Sequence, residues 1–122
     1  MSTIANRDLA VATIEAAQSK KAELSLLLNP GPKSGVAEWF VITGGSNTLH
    51  NKAIADAITA RMHEEGVRLV HKEGYNEGRW ILIDYFDVII NIQVPELREH
   101  YNLEKLWGDD CPTEIFELEQ ID

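Results

Sequence analysis

The run Arg79–Val94, RWILIDYFDVIINIQV, constrains the fold more tightly than any other stretch of the chain. Two β-prone segments, Arg79–Tyr85 and Val88–Val94, are separated only by Phe86 and Asp87. Segments rich in Ile, Val and aromatics suit a pleated surface, and a break this short is a tight reversal between paired strands. Alternation then sorts the side chains. Trp80, Leu82 and Asp84 point one way, and Ile81, Ile83 and Tyr85 the other. In the second segment Val88, Ile90, Ile92 and Val94 share one face, while Ile89, Asn91 and Gln93 share the opposite one. The loop before the first strand is punctuated by Gly74 and Gly78. Around the apolar strand stand Tyr75, Arg79, Trp80, Asp84, Tyr85 and Asp87. An aromatic and a carboxylate on one face, with an Arg beside them, make up a recognition patch. They also make up a plainer strand, whose Trp packs under a helix and whose Asp closes a turn. Spacing leaves both readings open.

The rest of the chain supplies partners for this hairpin. Thr3–Lys21 reads as a helix, with Ile4, Val11, Ile14 and Ala17 at helical spacing. Leu24–Leu28 and Trp39–Thr43 read as strands. The loop between them, Asn29–Gly35, holds two Pro and two Gly and cannot be a central strand. A second helix is capped by Ser46 or Asn47 and runs to about Glu65, with Gly66 as its stop. Its expected buried stripe is Leu49, Ala53, Ile54, Ala57, Ile58 and Met62, and its outer face is Asn51, Lys52, Asp56, Thr59 and His63. Val67–Lys72 reads as a strand, and Pro95 opens a short helix. The tail Thr113–Asp122 is acidic and expected to be partly disordered. The order is α-β-β-α-β-β-β-α. It implies an α/β (α+β) fold with one mixed sheet of about five strands flanked by helices. We expect a single domain over 1–110, followed by an acidic tail over 111–122.

Charge restricts the partners. The 122 residues carry a formal net charge of −9. An acidic chain has no general electrostatic route to bare RNA or DNA, but it suits a basic protein, including one that sits on nucleic acid. Cys111 is the only cysteine, which excludes a disulfide framework and a thiolate metal cluster. No apolar run reaches the length of a membrane span. The N-terminus lacks the marks of a secretory or transit peptide. A cytoplasmic protein is the expectation.

Catalytic signals are weak. Gly44-Gly45-Ser46 before a helix could cradle a phosphate, but neither a P-loop Lys nor dinucleotide-type Gly spacing follows. The plainer reading is a strand-to-helix turn with a cap. Asp84 and Asp87 are a close carboxylate pair, but they lie across a turn rather than at i and i+2. His50, His63, His71 and His100 show no metal-ligand spacing. No catalytic residue, metal or cofactor is expected.

The blocks EGYNEGRWILIDYFDVIINI and PELREHYNLEKLWGD, preceded by WFVITGGSN and NKAIADAI, strongly resemble the ribosomal silencing factor family, also called Iojap. The resemblance covers about Leu9–Asp110. It implies a mixed sheet with flanking helices, related to the nucleotidyltransferase fold but without its active site. It implies a protein that is not an enzyme and that binds the large ribosomal subunit through that subunit's fourteenth ribosomal protein, a basic protein near the subunit interface. There it would block joining of the small subunit and repress translation under nutrient limitation. It also implies a homodimer when free. The family's contact surface maps onto Tyr75, Arg79, Trp80, Asp84 and Tyr85. Three features depart from the family pattern. Phe86 stands where a Gly is usual, which is costly if the turn needs a positive φ. Gly44-Gly45-Ser46-Asn47 replaces a Thr-Ser-Asp type of helix start. The loop Asn29–Gly35 is unusually rich in Pro. Two rivals remain: a nucleotidyltransferase using Asp84 and Asp87, and a scaffold for another basic protein.

Overall fold

The hairpin forms as its alternation requires. The structure, a computed structural model, describes residues 6–30, 37–103, 105 and 111–117. Helix α1 (Asn6–Ser19) is followed by strands β1 (Ser25–Leu28) and β2 (Trp39–Thr43) and by helix α2 (Thr48–Glu64). Then come β3 (His71–Glu73), β4 (Trp80–Asp84), β5 (Val88–Gln93), helix α3 (Pro95–Tyr101) and β6 (Thr113–Phe116). The strands make one six-stranded sheet in the order β3-β4-β5-β2-β1-β6. Strands β2 and β5 are parallel at its centre, and the other neighbours are antiparallel. This is the expected α+β class, a mixed sheet flanked by helices, with one strand more than the sequence suggested.

Helices α1 and α2 pack together on one face of the sheet. The main core lies beneath them, with Ile14, Ile54, Ile58, Met62, Val41, Ile81, Ile83, Ile90 and Ile92 fully buried. On the other face a smaller cluster gathers Leu26, Leu28, Phe40, Ile42 and Leu103. Helix α3 lies against β5, with Pro95 in its first turn and Asn102 left-handed at its end. The block after Asn102 falls mostly outside the described residues, as do Ile4 and most of the Asn29–Gly35 loop.

Three expectations need correction. In α2, Leu49 is 77% exposed and Asn51 is fully buried, so the stripe runs Asn51, Ile54, Ala55, Ile58, Met62. Hydrogen bonding turned the helix this way. The Asn51 side chain accepts from Gly45 N–H at 2.7 Å and donates to the Gly78 carbonyl at 2.8 Å. It thereby ties the β2–α2 turn and the loop before β4 to the helix. A buried amide satisfied at both ends is stable where an unpaired one is not, and apolarity alone cannot register that. The second correction is β3, which is short and exposed at His71–Glu73. Its expected first half is instead drawn to the helix end, where Val67 N–H bonds the Met62 carbonyl. The third is the element order, which lacked a strand at the start of the tail. Thr113–Phe116 pair with β1, covering what would otherwise be an open edge. Phe116 packs on the main core, and Glu114 is ion-paired to Arg7 of α1. Residues 118–122 lie outside the described residues.

Candidate partner-binding face

The sheet presents its less covered face through β4 and β5. Antiparallel register sets Trp80 opposite Gln93, Leu82 opposite Asn91 and Asp84 opposite Ile89. Cross-strand partners share a face, so Trp80, Leu82, Asp84 and Ile89 form one surface, each of them half-buried. Beyond them His71 and Glu73 pair with Asp84 and Leu82. His71 Nε2 lies 2.9 Å from the Glu73 carboxylate.

Trp80 is held in place from two sides. Its indole Nε1 donates to Asn91 Oδ1 at 2.8 Å. Its ring stands 5.0 Å from that of Tyr101 on α3, tilted by 49°. It borders the smaller apolar cluster and yet stays accessible. Its edge is thus bonded and its ring held in place, with part of its surface accessible. Asp84 serves the turn. Its Oδ1 accepts the Phe86 N–H at 2.7 Å, closing the turn.

That turn is strained. Phe86 has φ of 75°, and Asp87 N–H bonds back to the Tyr85 carbonyl across it at 3.0 Å. A positive φ under an i to i+2 bond marks the rare, strained form of γ-turn. The position does need the left-handed region, and here a Phe occupies it.

Arg79 is exposed at the other end of β4. It borders a cavity of about 310 Å³ shared with Ser46, Asn47, Thr48, Val94, Pro95 and Glu96. The two tyrosines lie elsewhere. Tyr85 is buried against the helix-side core, and burial pushes its hydroxyl up to about 12. Tyr75 packs on the same core and donates to the Asp56 carboxylate of α2 at 2.9 Å. That hydrogen bond raises its pKa, and the Lys72 ammonium sits 4.7 Å above its ring. The structure therefore brings Trp80 and Asp84 together, sets Arg79 at the edge, and puts Tyr75 and Tyr85 on the opposite side of the sheet. Leu82 and Ile89 join the surface. Period-two alternation from Trp80 and the hairpin register would have found both. Asn91, which orients Trp80, leaves its own Nδ2 without a partner among the described residues, as do both ends of the Gln93 amide.

The Gly44–Ser46 turn is already occupied. Gly45 N–H goes to Asn51, Ser46 N–H to His50 Nδ1 at 2.9 Å, and His50 N–H to the cap Asn47 at 2.8 Å. A Cβ on Gly44 would strike the Gln93 backbone, and one on Gly45 the His50 ring. The glycines serve close packing here. The donors that would cradle a phosphate are bound by the chain's own side chains.

Fold and face define a small α+β protein that reserves one side of its sheet for its own core and leaves the other partly open. A family model described as "Ribosomal silencing factor during starvation" matches residues 3–122, and the chain belongs to that family. The ribosomal silencing factor of Halalkalibacterium halodurans is 36% identical over 112 residues, spanning 92% of this chain and 96% of that one. A mouse protein, "Mitochondrial assembly of ribosomal large subunit protein 1", is 32% identical over 79 residues, 62% of this chain and 35% of its own. A crystal structure of a Chromobacterium violaceum protein has a TM-score of 0.83 at 27% identity, covering 89% of this chain and 91% of that chain. No helix among the described residues is long and apolar enough to cross a membrane.

Proposed function

We propose that this protein silences ribosomes in the cytoplasm by binding the large subunit through its fourteenth ribosomal protein. Bound there, it blocks the small subunit and represses translation when nutrients are scarce. The observation that carries the proposal is membership of the silencing-factor family across nearly the whole chain. The name of the mouse relative points to the same subunit. A net charge of −9 suits a basic protein target and repels the surrounding RNA phosphate. The contact is made by Trp80 and Asp84, with Arg79 at its rim. Tyr75 and Tyr85 hold β4 and its preceding loop from the helix side.

A nucleotidyltransferase built on Asp84 and Asp87 has little support. Asp84 is engaged by the turn backbone, and the Gly44–Ser46 donors are internally bonded. The test is gradient sedimentation of mixed subunits with saturating protein. The joined-ribosome peak should fall while free large subunits carry the protein. An unchanged peak would sink the proposal.

A further inference from the structure

The β4–β5 turn holds a large apolar side chain out toward solvent. Phe86 is 76% exposed and belongs to neither apolar cluster. It also holds a φ of 75°, a region that a bulky side chain rarely enters. Three interactions enforce this geometry. The Asp84 carboxylate receives the Phe86 N–H, Asp87 N–H bonds the Tyr85 carbonyl, and Tyr85 N–H bonds the Val88 carbonyl at 2.9 Å. Strain maintained by surrounding bonds, for a ring that is mostly exposed and outside both apolar clusters of the described residues, points to use rather than stability.

The surroundings define that use. Val70 N–H bonds the Asp84 carbonyl, which carries Leu69 and Val70 alongside the turn. They are 40% and 59% exposed. Leu69, Val70 and Phe86 are thus exposed apolar side chains around the Asp84 end of β4. Asp84 and Asp87 bracket the ring in the chain, and Arg68 adjoins Leu69. An exposed aromatic between carboxylates, on a chain of charge −9, matches an apolar pocket rimmed by Lys and Arg.

We infer that Phe86 is a second aromatic anchor of the partner-binding face, held outward by the strained turn and seated in an apolar pocket of a basic protein surface. This rests on the reading that the partner is a basic protein of the large subunit. Phe86→Gly removes the ring and relieves the strain. Phe86→Ala removes the ring and keeps a Cβ at positive φ. Pelleting with isolated large subunits gives affinity, and thermal unfolding gives Tm. Both variants should bind about tenfold more weakly or worse. Phe86→Gly should also melt higher, on the order of 5 °C, and Phe86→Ala close to the parent. If the parent itself fails to pellet with large subunits, the functional reading falls and this inference with it. If the parent binds and both variants bind equally well, the anchor alone is overturned. Weak binding by Phe86→Gly with normal binding by Phe86→Ala would assign the effect to turn rigidity and also overturn it. So would a lower Tm in Phe86→Gly, because the ring would then support the fold.

Discussion

The two faces of one sheet do different work with the same strands. Toward α1 and α2, β4 and β5 send Ile81, Ile83, Ile90 and Ile92, all fully buried. Toward the other side they send Trp80, Leu82, Asp84 and Ile89, all half-buried. The first set interchanges only with other apolar residues of similar volume. The second mixes an indole bonded to Asn91, a carboxylate bonded to the turn and aliphatic side chains in partial contact with water. Alternation thus lets neighbouring residues answer to separate demands. A strand can be rigid because of one face and available because of the other.

The sharpest way to break this comparison is to truncate one residue on each face. Ile83→Ala should cost about 3 kcal/mol of stability, lowering Tm by on the order of 10 °C, while the folded protein binds large subunits as before. Trp80→Ala should cost on the order of 2 kcal/mol of binding, seen mainly as faster dissociation. It should also lower Tm, because Asn91 Oδ1 loses its donor and the contact with Tyr101 is lost. Affinity is to be measured well below each variant's Tm. If Trp80→Ala melts low but binds normally while folded, the open face has no anchor at Trp80, and both faces serve the fold.

Tyr85 offers a pH test of the closed face. Its pKa rises from 10 to about 12 through burial. A raised value in the folded state means stabilisation that is complete below pH 10 and lost as pH climbs through 12. Alkaline unfolding should therefore steepen between those values, and Tyr85→Phe should flatten it. An unchanged curve in Tyr85→Phe would mean that its hydroxyl is hydrated and the face is looser than its packing indicates.

The smallest expected effect is at Asp84. Asp84→Asn keeps an acceptor for the Phe86 N–H and removes only the charge. Subunit affinity should fall by less than about 1 kcal/mol, with a shallower dependence on salt than the parent. An identical salt dependence in the two proteins would mean that Asp84 serves the turn alone.

Much of this molecule was legible in one dimension because its governing forces are local. The period of the β4–β5 run set the hairpin and its two faces, and of the two caps offered before α2, Ser46 or Asn47, the structure shows Asn47. The family resemblance in the EGY…GRW…DY block was legible for the same reason, since it is a matter of residue order. Side-chain hydrogen bonds across long separations were not legible. Asn51 is buried and Leu49 exposed because two backbone groups, Gly45 N–H and the Gly78 carbonyl, converge on the amide only after α2 has packed. Tyr75 and Tyr85 stand near Trp80 in the chain and across the sheet from it in space, because the loop folds back to Asp56 and the strand alternates. The acidic tail became β6 because β1 had a free edge and Arg7 stood ready for Glu114. Local propensity and periodicity determined the helices and the strands of the sheet's centre, but not the short β3 or β6. Which polar groups are buried, and which aromatics remain open to a partner, was decided by pairings that exist only once distant segments meet.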